Sequence, residues 1–278
     1  MTRVFLVLVV AFAMLFGLGA WGSLQWRKDS SAAAAKLECC AVANPMTYDP
    51  DTELAGLPDP VQRYFRNVLR PGQVMIRRAR QVQEGEFAIN GGWSRMRAAQ
   101  VSVVRSPGFL WDARISMLAG LVDARVRDSY SAGNASMTAK ILGLVTIVDA
   151  PNGPELAAAA LQRHLGESIW FPTALLPSQG VVWVPIDAHV ARATLTDNGV
   201  TASLDFRFND AGEITGTFTA ARYKESGGKF VAQPWVSSCM EYGERGGMKI
   251  PLRAEVAWVV NGASEPYWRA RITEIEYE

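Results

Sequence analysis

Three titratable side chains crowd one short stretch of the chain. Arg163, His164 and Glu167 lie in PELAAAALQRHLGESIW. At that spacing they share one face of a helix if it runs on through Gly166. An imidazole beside a carboxylate can work as a general base with its orienter. The same spacing also makes an ordinary i,i+4 Arg–Glu ion pair next to a surface histidine, and that is the preferred reading. A second charged group is Asp112, Arg114, Arg125, Arg127 and Asp128. Turned inward, these charges would have to pair, and an arginine could clasp a carboxylate or orient a polar head. Turned outward, they are cross-strand surface pairs. Phe109, Trp111 and Ile115 alternate with Asp112 and Arg114 and belong in a core, so the outward reading is preferred. An enzyme would need Glu167, His164 and Asp112 to converge in one cleft.

No other catalytic pattern is present. The chain has no G-x-S-x-G elbow, H-E-x-x-H pair or phosphate loop. Gly17–Gly22 fits G-x-G-x-x-G but falls inside an apolar run, without the preceding strand a nucleotide site needs. Two histidines and three cysteines leave little for a metal centre, so neither metal nor cofactor is expected and no catalytic residue is assigned. Adjacent Cys39 and Cys40 read as incidental thiols. Aromatic and apolar side chains offer binding instead. Trp170 and Phe171 end the helical stretch that must cover a sheet, and Leu175 and Leu176 follow them. With Trp111, Glu167 and Arg127 they form the candidate ligand-binding set.

The elements that would position these residues follow from periodicity. Asp59 and the flanking prolines open a helix, with Val61, Tyr64, Phe65, Val68 and Leu69 on one face. Period-two strands fill the next 80 or so residues, punctuated by Asn90-Gly91-Gly92 and Ser106-Pro107-Gly108. A helical insert, jointed at Gly166, interrupts them from Pro154 to Leu176. Strands then resume to the C-terminus, with Asp197-Asn198-Gly199 as a hairpin turn. About ten strands without intervening helices predict an antiparallel sheet that must curl or close. The predicted class is mainly β, of the α+β kind. It is one large curved antiparallel sheet or half-barrel packed on an N-terminal helix and a central helical insert.

Val4–Trp21 is an uncharged run of 18 residues, flanked by Arg3, Arg27 and Lys28. It is longer than the usual signal-peptide core and close to a membrane span. Residues 1–28 are therefore expected to be a transmembrane anchor or signal segment, residues 29–50 a tether that can hold a short helix through its alanines, and residues 51–278 a single β-rich domain on the extracytoplasmic side. The formal net charge of +1 leaves no footprint for nucleic acid.

Particular strings carry a resemblance. LPDPVQRYFRNVL, the stretch Glu84 to Ala99, PGFLWDARI, VRDSY, RHLGESIWFPTALLPS, VVWVPID and PYW resemble a bacterial family of membrane-anchored proteins with no assigned function, over roughly residues 55–278. The family supplies no catalytic residues to carry over. In fold it is compared to the lipoprotein-carrier (LolA/LppX-like) half-barrel. That comparison implies a curved sheet over helices with an apolar cavity for acyl chains. Three functions follow as expectations. The first is non-enzymatic binding of a lipid or acyl chain between sheet and helices. The second is an envelope scaffold, marked by an exposed apolar patch. The third is an enzyme on an envelope or lipid substrate.

Overall fold

Alternating side chains and tight turns join into one continuous sheet. The computed structural model describes residues 2–42, 46–89, 91–150 and 152–278, with only the backbone for residues 2–4, 6–16 and 119. The first half of the chain forms β1 (Arg78–Ile89), β2 (Gly92–Val103), β3 (Gly108–Met117), β4 (Val122–Ser131), β5 (Asn134–Ile141) and β6 (Val145–Ala150). The second half forms β7 (Val182–Pro185), β8 (Val190–Asp197), β9 (Val200–Phe208), β10 (Ile214–Ser226), β11 (Lys229–Arg245), β12 (Met248–Val260) and β13 (Ala263–Tyr277). The order across the sheet is β6-β5-β4-β3-β2-β1-β13-β12-β11-β10-β9-β8-β7. Each half is a meander, and antiparallel pairing of β1 with β13 joins them. The expectation of a large curved antiparallel sheet holds.

Thirteen strands form where about ten were expected. Two extra reversals explain much of the excess. Ala132-Gly133 and Leu142-Gly143 turn with positive φ at both residues, the geometry of tight two-residue hairpins. Asn198-Gly199 turns the same way, as its sequence predicts. Of the expected Asn90 turn, Asn90 itself lies outside the described residues.

The sheet curls far enough for its two halves to touch. The Tyr130 hydroxyl of β4 donates to Asp197 of β8 at 2.8 Å. A Cβ at Gly133 would stand 3.1 Å from the Cβ of Asn198. Burial and the Asp197 contact hold the Tyr130 phenol well above its ordinary pKa.

The inner face is filled by helices. Helix α3 (Asp59–Val68), which follows the leader helix α1 (Thr2–Cys39) and the short α2 (Pro50–Glu53), buries Val61, Tyr64, Phe65 and Val68 as its periodicity predicts. Pro58 takes the N-cap position expected of Asp59, which becomes the first helical residue. Helix α4 (Pro154–Glu167) runs unbroken through Gly166, so the expected joint there does not form. Short 3-10 turns at Ser168–Trp170, Pro172–Leu175 and Pro177–Gln179 carry the chain back to β7. Trp111, Leu161, Leu165, Phe171, Leu175 and Phe206 belong to one core.

The leader departs most from expectation. Helix α1 continues through Cys39, so residues 29–39 are not a free tether but lie on the outer face of the sheet. Trp26, Ser30 and Leu37 fall on one helical stripe and are buried. The four consecutive alanines between them favour the helix. Leu37 packs on Val103 and Leu110. Glu38 accepts two hydrogen bonds from Arg80, at 2.7 and 2.8 Å. Among the described residues no helix is long and apolar enough to cross a membrane. Most side chains of the Val4–Trp21 run lie outside them.

Candidate functional site

The inner and outer faces of β1–β4 carry two different polar arrangements. On the inner face, strand register sets Gln81, Gln100, Trp111 and Asp128 side by side in one row. Period two places Gln83 next to Gln81 on the same face. Helix α4 lowers Arg163 and Glu167 onto this row. Arg163 donates to Glu167 at 2.8 Å, Asp128 at 2.7 Å and Gln100 at 3.1 Å. Its guanidinium carbon sits 4.8 Å from the Phe109 ring centroid and 4.9 Å from that of Trp111. Burial works against the Arg163 charge. Glu167 and Asp128 outweigh it and raise the pKa above the ordinary guanidinium value. The expected Arg163–Glu167 pair therefore forms, but in the interior rather than on the surface.

The row is not fully satisfied. Gln100 donates to Glu167 at 2.6 Å and to Ser102 at 3.1 Å. Trp111 donates to the Gln83 side-chain oxygen at 2.8 Å. Among the described residues, both amide atoms of Gln81 and the amide nitrogen of Gln83 have no hydrogen-bond partner, although the two residues are only 3% and 0% exposed. Such orphaned groups are uncommon in folded interiors, and each is costly.

The residues singled out in the sequence divide between the faces. Trp111 and Glu167 meet through Gln100 and Arg163. Trp170, Phe171, Leu175 and Leu176 lie deeper in the core. The Trp170 indole donates to Pro251 O at 3.1 Å, and Tyr277 donates to Trp170 O at 2.7 Å. His164 is buried, not on the surface, with its ring 5.8 Å from that of Phe171. Burial pushes its pKa down to about 4, and its Nδ1 has no partner among the described residues. Asp112 and Arg127 stand on the opposite face of the sheet. The constellation of Glu167, His164 and Asp112 that catalysis would need is not assembled.

On the outer face those two residues hold helix α1. Trp26 donates to both oxygens of Asp112 at 3.0 Å. Arg127 donates to Ser30 Oγ and to Trp26 O, and lies over the Trp26 ring at 4.4 Å. Burial lowers the Arg127 pKa, while Asp112 opposes the shift. Beside these contacts, register places Arg97, Arg114, Arg125 and Lys140 directly opposite one another across β2, β3, β4 and β5. Arg97 pairs with Glu84 and Arg114 with Asp123. Arg125 Nε is buried and has no partner among the described residues. Burial lowers the Arg125 pKa, and the like charges of Arg114 and Arg27 lower it further.

Arg27, Ser30, Arg97, Asp112, Arg114 and Arg125 line part of a groove of about 510 Å³ between α1 and the sheet. A second groove, of about 670 Å³, lies by Gln73–Ile76 and the C-terminal Ile275–Glu278. Neither is lined by Trp170, Phe171, Leu175 or Leu176. Among the described residues no cluster could hold a metal ion.

Sequence reasoning missed the glutamines and the cationic row. Gln81 and Gln83 carry a signal, two amides at alternate positions facing the same way as buried Ala79. The cationic row carries none, because only strand register brings together residues up to 43 positions apart.

Fold and site define a mainly β protein: one curved, open antiparallel sheet with helices inside and a helix laid across its back. The chain belongs to a family of unknown function (DUF6920), whose pattern matches residues 55–277. No curated protein matches it. Solved structures of similar fold include one named as an outer membrane lipoprotein-sorting protein domain, from Vibrio parahaemolyticus. That one is 7% identical, with a TM-score of 0.40, over 83% of this chain and 94% of that one. Another is a LolA superfamily protein from Nitrosomonas europaea, 9% identical with a TM-score of 0.40, over 79% of this chain and 92% of that one.

Proposed function

We propose that the chain is a membrane-tethered, non-enzymatic module that binds an amphiphile between the curved sheet and α4. The observation that carries the reading is the orphaned amide group of Gln81 and Gln83, buried beside a cluster whose charges are already compensated. Arg163, Asp128 and Glu167 satisfy one another, so the site has little left for an ionic head. The free amides, which can both donate and accept, instead suit a neutral linkage such as an ester, amide or hydroxyl. The attached chain would lie against Trp111 and towards Trp170, Phe171, Leu175 and Leu176. These four are closed against neighbouring strands, so an entering chain has to displace them. Arg127 serves the α1 contact in this reading and does not touch the ligand. Trp26, Ser30 and Glu38 dock the leader helix on the domain, and with residues 1–28 as an anchor the module serves as a fixed receptor rather than a released carrier.

A second reading is an envelope scaffold. It is favoured by an apolar patch on the surface, where Leu118 is 71% exposed, Leu121 84%, Val145 62% and Ile147 51%.

The test is native mass spectrometry of the full chain released from detergent micelles, followed by organic extraction. Binding is expected to appear as one discrete bound mass, lost in Gln81→Met combined with Gln83→Met. That variant is expected to melt no lower than the parent: losing the orphan amide of Gln81 gains about 1–3 kcal/mol, while at position 83 the loss of an orphan nitrogen is offset by stranding the Trp111 indole N–H that Gln83 accepts from. A parent chain without any bound mass, even after incubation with phosphatidylethanolamine, defeats the binding reading. So does a bound mass that the double variant retains.

A further inference from the structure

The exposed apolar patch and the cationic row belong to one end of the molecule. β3 and β4 meet at the turn holding Leu118 and Leu121, and β5 and β6 at the turn holding Leu142. Antiparallel pairing puts both turns at the same end of neighbouring strands. Helix α1 passes that end closely. A Cβ at Gly22 would fall 2.7 Å from Leu142 O, and one at Gly143 2.6 Å from Gly22 O. Gly22 directly follows the apolar run that ends at Trp21. The apolar turns therefore stand level with the C-terminal end of the apolar run.

Helix and sheet then give the same depth for the charges. Arg27 is six residues beyond Trp21, about 9 Å along the helix. Arg114 is three residues from Met117, about 10 Å along the strand. The headgroup layer of a bilayer leaflet is about 5–8 Å thick. With the apolar turns at the edge of the hydrocarbon, Arg27, Arg97, Arg114, Arg125 and Lys140 arrive at or just above the lipid phosphates. Glu84 and Asp123 offset Arg97 and Arg114, but Arg125 still faces the like charges of Arg114 and Arg27; such repulsion is unfavourable in isolation, and an anionic surface relieves it.

We propose that this end of the domain rests on an anionic lipid bilayer, with the β3–β4 and β5–β6 turns in the headgroup–acyl boundary and the cationic row on the lipid phosphates. The proposal rests on the reading of residues 1–28 as a membrane anchor. It adds that the domain is held in one orientation instead of swinging free.

The test uses the full chain with Cys39 and Cys40 replaced by serine, since both are exposed, in vesicles of mixed phosphatidylcholine and phosphatidylglycerol. A nitroxide is attached after Leu121→Cys, Val145→Cys or Ala132→Cys, and its depth is read from relaxation by oxygen against a water-soluble nickel complex. Ala132 is the control, exposed at the opposite end of β4. The labels at 121 and 145 are expected at or below the phosphate plane and the label at 132 in water. Arg114→Gln with Arg125→Gln is expected to move the first two outward and to erase any difference from vesicles of phosphatidylcholine alone. If all three labels read as water while the chain stays with the vesicles through an alkaline wash, the resting surface is overturned and the anchor stands. If the chain leaves the vesicles, both fail. Burial of the labels at 121 and 145 only as protein concentration rises in detergent assigns the patch to a second copy and overturns the proposal.

Discussion

The two faces of β2–β4 use the same residue types in opposite ways. On the inner face one arginine sits between two carboxylates, Asp128 and Glu167. On the outer face arginine stands opposite arginine, with a lysine at the end of the row. Burial explains the difference. An unpaired charge in an apolar interior costs several kcal/mol, about 3–5, so the inner cluster has to be complete. The outer row has water and salt to screen it, so repulsion there costs little. Unpaired groups therefore mean different things on the two faces. An orphan amide inside is an expensive feature that calls for a partner, and the outer guanidinium of Arg125, its Nε closed off but its side chain lining an open groove, is a less costly charge still able to meet one.

The largest test of that contrast is Arg163→Met. The substitution keeps much of the side-chain volume but strands Asp128 and Glu167 in a mostly buried site. It is expected to cost about 3 kcal/mol or more, a fall of roughly 6–12 °C in melting temperature. Salt is expected to change that loss little. A loss under about 1 kcal/mol would mean that water reaches the cluster and that the inner face behaves like the outer one.

His164 sharpens the same comparison through pH. It is neutral in the folded chain down to about pH 4, whereas in the unfolded chain it protonates below about 6.5. Between those values the unfolded state binds more protons, so stability falls as the pH drops through that window. The expected loss between pH 7 and pH 5 is about 2 kcal/mol. Urea unfolding at the two pH values measures it, and His164→Leu is expected to remove most of the slope. An unchanged slope in His164→Leu would place the acid sensitivity elsewhere.

How much of this was legible in the sequence depends on whether a feature is local. Helix α3 could be read from Val61, Tyr64, Phe65 and Val68, because its period is its own. The strands could be read from the alternation through Trp111, Ala113 and Ile115, and their number bounded the answer to a curled sheet. The insert was recognisable from Pro154 and its alanines, although its continuity through Gly166 was not. The site was legible only in pieces. Arg163 and Glu167 are a local pair, but their burial against Asp128 and Gln100 depends on how α4 lies across the inner face of the sheet. The cationic row depends on register, which no single strand encodes. Residues 29–39 looked like a tether because alanines and serines are equally at home in linkers. Their docking stripe of Trp26, Ser30 and Leu37 acquires meaning only once Asp112, Arg127 and Leu110 are seen to share one face.

The smallest expected effect, Arg125→Gln, discriminates most finely between the faces. Arg125 lies opposite Arg114 on one side and Lys140 on the other. Removing its charge relieves the cost of burial and the repulsion of Arg114 and Arg27, forgoes the weaker attraction of Asp112 and Asp123, and breaks no ion pair, since none of the ion pairs of the described residues includes it. Cross-strand pairs of this kind are worth roughly 0.2–1 kcal/mol each. The substitution is therefore expected to raise stability slightly, the opposite sign to Arg163→Met. The gain is expected to shrink towards zero between low salt and about 1 M salt, where the screening length falls to about 3 Å. Denaturant unfolding of the full chain in a zwitterionic detergent, at both salt levels, reads the effect without an anionic surface. A loss of stability at low salt would show that Arg125 is already neutralised by an anion the fold supplies. The two faces would then follow one rule, with every cation compensated, rather than two.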